Sequence, residues 1–210
     1  MTMLQKLTYL QGGLDVFKKI WDNIKKVCRK GVVDMAKISE NSLHEAEIKK
    51  FSNAEEVLKE FWDGELPVNL EAIAKACDIT VETTNFDEIS EELGHRVYGM
   101  IFTGDNNKRH IMVNENDIPT RRRFTIAHEL GHYFLHDGDK TFVNFRGLST
   151  PKERQADKFA AELLMPEKRL REEHGKLFFP LVSQLAERFN VSKEAMRYRL
   201  DEMGLSSIEL

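Results

Sequence analysis

Apolar positions recur at helical spacing through the first third of the chain. Phe17, Ile20, Trp21, Ile24, Val27 and Cys28 form one stripe within residues 14–30, and Lys18, Lys19, Lys25, Lys26, Arg29 and Lys30 cover the rest. This predicts an amphipathic helix ended by Gly31, with a basic solvated face over a docked stripe. Residues 34–50 predict a weaker helix with few apolar anchors. Ser52-Asn53-Ala54-Glu55 is a capping-box signal for a helix through Val57, Leu58, Phe61 and Trp62, stopped by Asp63-Gly64. Pro67 opens another, with Leu70, Ile73, Ala74 and Cys77 facing inward.

The period then shortens. Residues 79–84 have strand composition, and residues 87–92 are polar, fitting a short helix or a loop. Residues 96–103 and 109–114 predict a hairpin, with Gly104-Asp105-Asn106-Asn107 as its turn. An extended peptide can add to a free sheet edge through main-chain hydrogen bonds, and strand 96–103 or its neighbour is the expected platform.

Helical spacing returns at Phe124-Thr125-Ile126-Ala127-His128-Glu129-Leu130-Gly131-His132-Tyr133-Phe134-Leu135-His136. Residues four apart share one helix face, so His128 and His132 can offer imidazole nitrogens to one Zn²⁺. Glu129 stands beside them, suited to take a proton from the attacking water. The neighbours are apolar or small, as expected of a buried helix, where two histidines call for a partner such as a metal. His136 drifts about 40° further round for each step of four, which gives it a supporting or structural place rather than a ligand's. Arg121, Arg122 and Arg123 lie near this helix's start, where positive charge is unfavourable and needs counter-charge or a bound acidic group. Residues 140–149 read as a loop bordering the site.

A third ligand must come from elsewhere. Thr150 and Pro151 are a good N-cap and first residue for a helix running to Pro166. Glu153 and Asp157 lie four apart on one face of it. His-Glu-x-x-His, a spacer of about twenty residues and Glu-x-x-x-Asp resemble the gluzincin type of zinc peptidase. On that pattern Glu153 is the third ligand, and Asp157 holds the free nitrogen of a ligand histidine, His128 in the first instance. Two competitors stay open. Thr150-x-x-Glu153 also fits a capping box, and Glu162 is a rival ligand further along the helix.

Beyond Pro166, a short helix over 167–171 ends by Gly175, and residues 181–200 look like a helix-turn-helix. Lys193, Arg197 and Arg199 suit phosphate, but Glu194, Asp201 and Glu202 share that helix and the chain carries a net charge of −4. Packing or substrate docking is therefore favoured over DNA binding, and a general nucleic-acid binder is argued against. A chain of 210 residues with 41 % hydrophobic content can bury a real core. No apolar run approaches a membrane span, the first residues do not read as a signal peptide, and Cys28 and Cys77 sit in unrelated contexts. Reduced thiols and a cytoplasmic location are the expectation.

Arg-Phe-Thr-Ile-Ala-His-Glu-Leu-Gly-His-x-x-Leu-His, followed by Ala-Asp-x-Phe-Ala-Ala-Glu-Leu-Leu-Met-Pro, is similar to the ImmA/IrrE family of bacterial zinc metallopeptidases, most clearly from Leu66 to Pro166 and more loosely to Gly204. The resemblance implies an α+β, mostly helical, zincin-like fold with a small antiparallel sheet beside the metal helix and a C-terminal helix-turn-helix-like segment packed on the peptidase. It implies His128, His132 and Glu153 as ligands of one zinc per chain, Glu129 as catalytic base, and a helix-turn-helix repressor as substrate. Tyr98, Tyr133, Tyr198 and His136 are candidate donors to the oxyanion. The organisation expected is a helical extension over 1–50, a peptidase domain over 51–166 and a C-terminal helical segment over 167–210. The competing reading is a zinc-bearing regulatory or antitoxin-like protein that binds a repressor or DNA without cutting; an intact Glu129 argues against it.

Overall fold

The computed structural model describes residues 51–104, 108–136, 141–145 and 150–208. The helices expected over 14–30 and 34–50 lie outside these residues.

Helix α1 (Ala54–Phe61) is capped by Asn53, whose side chain accepts from the Glu56 amide at 3.0 Å. Glu56 returns the bond to the Ser52 amide at 2.8 Å. The expected capping box is thus displaced by one residue: Asn53, not Ser52, takes the extended N-cap conformation, and Glu56 replaces Glu55. Helix α2 (Leu70–Ala76) begins after Pro67, because the Asn69 side chain caps it by accepting from the Ala72 amide at 3.0 Å. Leu70, Ile73 and Ala74 are buried as their spacing requires.

Strand β1 (Ile79–Thr84) is followed by helix α3 (Asp87–Leu93), which Gly94 ends in the left-handed conformation at φ 65°. Strands β2 (Val97–Thr103) and β3 (Arg109–Asn114) form the expected antiparallel hairpin, with Ile101 opposite Ile111. The sheet itself is mixed, not antiparallel: β1 pairs parallel with β3, from Ile79–Arg109 to Thr84–Asn114. Then come helix α4 (Pro119–Leu135), strand β4 (Thr141–Phe145) and helix α5 (Pro151–Leu164). β4 pairs antiparallel with β2, giving the order β1-β3-β2-β4. Two expectations change here. Part of the anticipated loop over 140–149 is a strand, and β2 is an inner strand, so the edge on that side belongs to β4.

Alternation divides β2 and β3 between two buried layers. Ile101, Ile111 and Val113 join Ala127, Leu130, Phe134, Phe159, Ala160 and Leu163 in one core. Met100, Phe102 and Met112 are buried on the opposite face, which is why the strands read as continuous apolar runs. At close to 25 cal/mol per Å², each fully buried large side chain contributes on the order of 2 kcal/mol, so this layer outweighs any single polar contact in holding α4 on the sheet.

Helix α6 (Glu167–Gly175) precedes two helices joined by a tight turn, α7 (Val182–Phe189) and α8 (Lys193–Glu202). Asn190 turns left-handed at φ 52°, and Ser192 caps α8 by accepting from the Ala195 amide at 3.1 Å. Leu185, Phe189, Met196 and Leu200 enter the same core as α4 and α5. No helix among the described residues is long and apolar enough to cross a membrane.

Candidate metal centre

The start of α4 shows what accommodates two of its three arginines. Arg123 donates to the Val68 carbonyl, and Arg121 lies over the Tyr98 ring, 5.2 Å from its centroid. Two turns on, His128, Glu129 and His132 are 2 %, 0 % and 1 % exposed. Such burial of three polar groups in one helix face requires compensation. Part of it comes from α5, which packs along the same face.

The His128 ring is engaged at both nitrogens. Nδ1 is 2.8 Å from Asp157 Oδ1, and Nε2 is 3.1 Å from Glu153 Oε2. His132 Nε2 lies 3.0 Å from His128 Nε2 and 3.5 Å from Glu153 Oε1. One donor atom from each of His128, His132 and Glu153 therefore falls within 4.8 Å of the others. Two imidazoles and a carboxylate are a zinc donor set with room for a further ligand. A carboxylate on the far nitrogen of a ligand histidine fixes its tautomer and leaves the Nε2 lone pair for a metal. The residues present fit a divalent ion, and zinc is the ordinary choice for this set.

Electrostatics favour the same convergence. Burial alone would lower the His128 pKa, but hydrogen bonds to Asp157 and Glu153 and the nearby Glu129 charge outweigh it and raise it to about 10. Burial, with the neighbouring histidine charges, lowers His132 despite the Glu153 hydrogen bond. Burial would raise Glu153, yet the two histidines hold it down at about 2. Without a metal, His128 therefore holds a second ring proton and a positive charge at neutral pH, and Glu153 keeps its negative charge.

The Thr150–Glu153 capping signal is half realised. Thr150 Oγ1 accepts from the Glu153 amide at 3.2 Å, while the Glu153 carboxylate turns to the histidines. Glu162 lies nine residues along α5, half a turn away in projection, with its carboxylate 3.8 Å from Lys158. His136 ends α4, and its Nε2 is 3.1 Å from the Lys152 carbonyl, tying the two helices together beside the site. Tyr98 packs against Arg96 and Arg121, Tyr133 has Arg109 over its ring at 4.5 Å, and Tyr198 is 61 % exposed on α8 with Arg197 over its ring.

Two glycines carry weight that motif reading passes over. A Cβ on Gly99 would stand 2.5 Å from Thr125 Cγ2 and 2.8 Å from the Met112 carbonyl oxygen, so β2 lies directly on α4 one turn before His128. Gly131, inside the His-Glu-x-x-His segment, faces α5, where a Cβ would stand 3.1 Å from Ala156 Cα. A glycine inside a helix or strand pattern is the sequence signal for such approaches.

Two helices bring two imidazoles and a carboxylate to one point, a set of donors that could hold a metal ion. Residues 74–201 match the Peptidase M78 family, the IrrE N-terminal-like domain, and the chain belongs to that family. The match extends through α7 and nearly all of α8. Metallopeptidase ImmA of Bacillus subtilis (strain 168) is 40 % identical over 97 residues, covering 45 % of this chain and 56 % of that relative. The chain thus matches about half the length of this curated relative.

Proposed function

We propose that this protein is a cytoplasmic zinc endopeptidase that makes a site-specific cut in a helix-turn-helix repressor. The observation that carries the reading is the convergence of His128, His132 and Glu153 donor atoms within 4.8 Å, beside a fully buried Glu129. Zinc bound there supplies Lewis acidity toward the scissile carbonyl and acidity to water. Glu129 takes a proton from the attacking water and passes it to the leaving amine. Asp157 holds the His128 ring by its Nδ1, and Glu153 supplies the negative charge that balances a dication. Burial of His128, Glu129 and His132 on α4 excludes bulk water and strengthens these interactions.

The substrate reading rests on the family resemblance and on edge chemistry. An extended segment can pair with the outer edge of β4, which packs beside α4. Helix interiors of a folded repressor offer no such segment, so the cut falls in a linker or a locally unfolded helix. The C-terminal helices are read as a docking and packing unit. The cytoplasmic assignment rests on Cys28 and Cys77 standing in unrelated sequence contexts, as expected of reduced thiols.

The test is incubation with a helix-turn-helix protein encoded beside this gene, followed by mass spectrometry. Two discrete fragments that vanish with chelator and with Glu129→Gln are expected. Binding without fragments would instead establish a contact-only regulator, and digestion of casein at many sites would indicate a general protease.

A further inference from the structure

The donor set comes from two helices, so its geometry depends on how closely they approach. Gly131 sits between His128 and His132 on α4 and faces α5. A Cβ there would meet Ala156 Cα at 3.1 Å, the Ala156 carbonyl oxygen at 3.2 Å and Phe159 Cδ1 at 3.1 Å. Two of these three atoms are backbone and cannot rotate away. Ala156 is fully buried and Phe159 is 2 % exposed, so neither has free space to retreat into. Ala156 lies three residues after Glu153 and immediately before Asp157.

Glycine disfavours a helix interior. Gly131 lies mid-helix, where a left-handed conformation has no use. What it supplies is the missing Cβ. With alanine, α5 would have to retreat by a few tenths of an ångström. A metal site tolerates roughly ±0.2 Å in its ligand distances, so a shift of that size is felt.

We infer that Gly131 is a positioning residue: it lets α5 come close enough for Glu153 and Asp157 to reach the His128 ring, an inference that rests on the metal-site reading above. It touches no ligand atom and acts through helix separation alone.

The test compares full-length wild type, Gly131→Ala and a control, Leu163→Ala. Leu163 is fully buried on the same helix, two turns beyond Ala156, and its truncation loosens packing without pushing the helices apart. Zinc affinity is measured by competition with a chromophoric chelator, ligand geometry by the visible spectrum of the Co²⁺-loaded protein, and stability by the Tm of the metal-free chain. Gly131→Ala is expected to bind zinc about 10-fold or more weakly, as for displaced supporting groups, and to show altered Co²⁺ bands. Leu163→Ala is expected to lower Tm while keeping wild-type affinity and spectrum. Wild-type affinity and bands in Gly131→Ala overturn the inference, as does affinity that falls in step with Tm in both variants. A wild type that binds no zinc overturns the metal reading itself. Should Gly131→Ala fail to fold, Gly131→Ala combined with Phe159→Leu, which trims the one side chain among the three contacts, is read by the same criteria.

Discussion

Asp157 Oδ1 lies 2.8 Å from His128 Nδ1, while Glu153, one turn earlier on the same helix, lies 3.1 Å from Nε2 of the same ring. One imidazole is thus gripped from both sides by a single helix face. The Asp157 side chain is 57 % exposed, so its removal leaves no cavity. Asp157→Ala is expected to weaken zinc binding roughly 10–100-fold without unfolding the chain, and to take away the part of the metal-free stability that its hydrogen bond to His128 supports. An unchanged affinity would reduce Asp157 to a surface charge.

Metal content tests the donor set more directly. Purified protein should carry about one zinc per chain by plasma mass spectrometry, and His132→Ala should lose it. Equal zinc in the two proteins would remove the basis for the metal centre.

The metal-free protein should show a pH window. His128 is raised to about 10, so its contribution to stability is full below its ordinary value of 6.5 and fades as pH climbs toward 10. Glu153 is lowered to about 2, so its contribution is full above 4.5 and is lost as pH falls toward 2. Urea midpoints of the metal-free chain should therefore peak between these limits. At pH 7, zinc binding must also displace the His128 proton, and calorimetry in buffers of different ionisation enthalpy should register its release. Buffer-independent heats would contradict that protonation state.

Gly99→Ala should destabilise the fold by about 1–3 kcal/mol, the usual range for overpacking. Its Cβ would meet Thr125 Cγ2 at 2.5 Å and a backbone oxygen at 2.8 Å. Adding Thr125→Ser removes the first clash and keeps the hydroxyl that donates to the Arg121 carbonyl at 3.1 Å. Chemical denaturation of the single and double variants should show partial recovery, and additive losses would argue against the contact.

What the sequence made legible follows the range of the interactions. His128 and His132 stand four apart on one helix, so their spacing alone placed them on one face, with Glu129 beside them. The helix bearing Glu153 announced its start through Thr150 and Pro151. The offset at α1 arose because Ser52 and Asn53 are both capable caps, and backbone geometry chose between them. Pro67 looked like a helix start, but the Asn69 side chain caps the helix and moves its start to Leu70, three residues later. β4 was missed because five residues between short polar stretches of sequence carry little periodic signal, and the pairing with β2 is set by tertiary contact. The parallel pairing of β1 with β3 is equally non-local. Three tyrosines stayed undecided among oxyanion donors for the same reason: their placement depends on partners far along the chain.

β4 lies on the connection between the two helices that supply the ligands. An ion shared by His132 and Glu153 would close that connection into a ring, a cross-link much as a disulfide is. Ring closure removes configurations from the unfolded chain, and its effect is greatest on the segment enclosed. Chelation should therefore speed amide exchange in Thr141–Phe145 more than in β1, which lies outside the ring. Such an ion would thus also set the order of the edge strand on which an extended peptide would align.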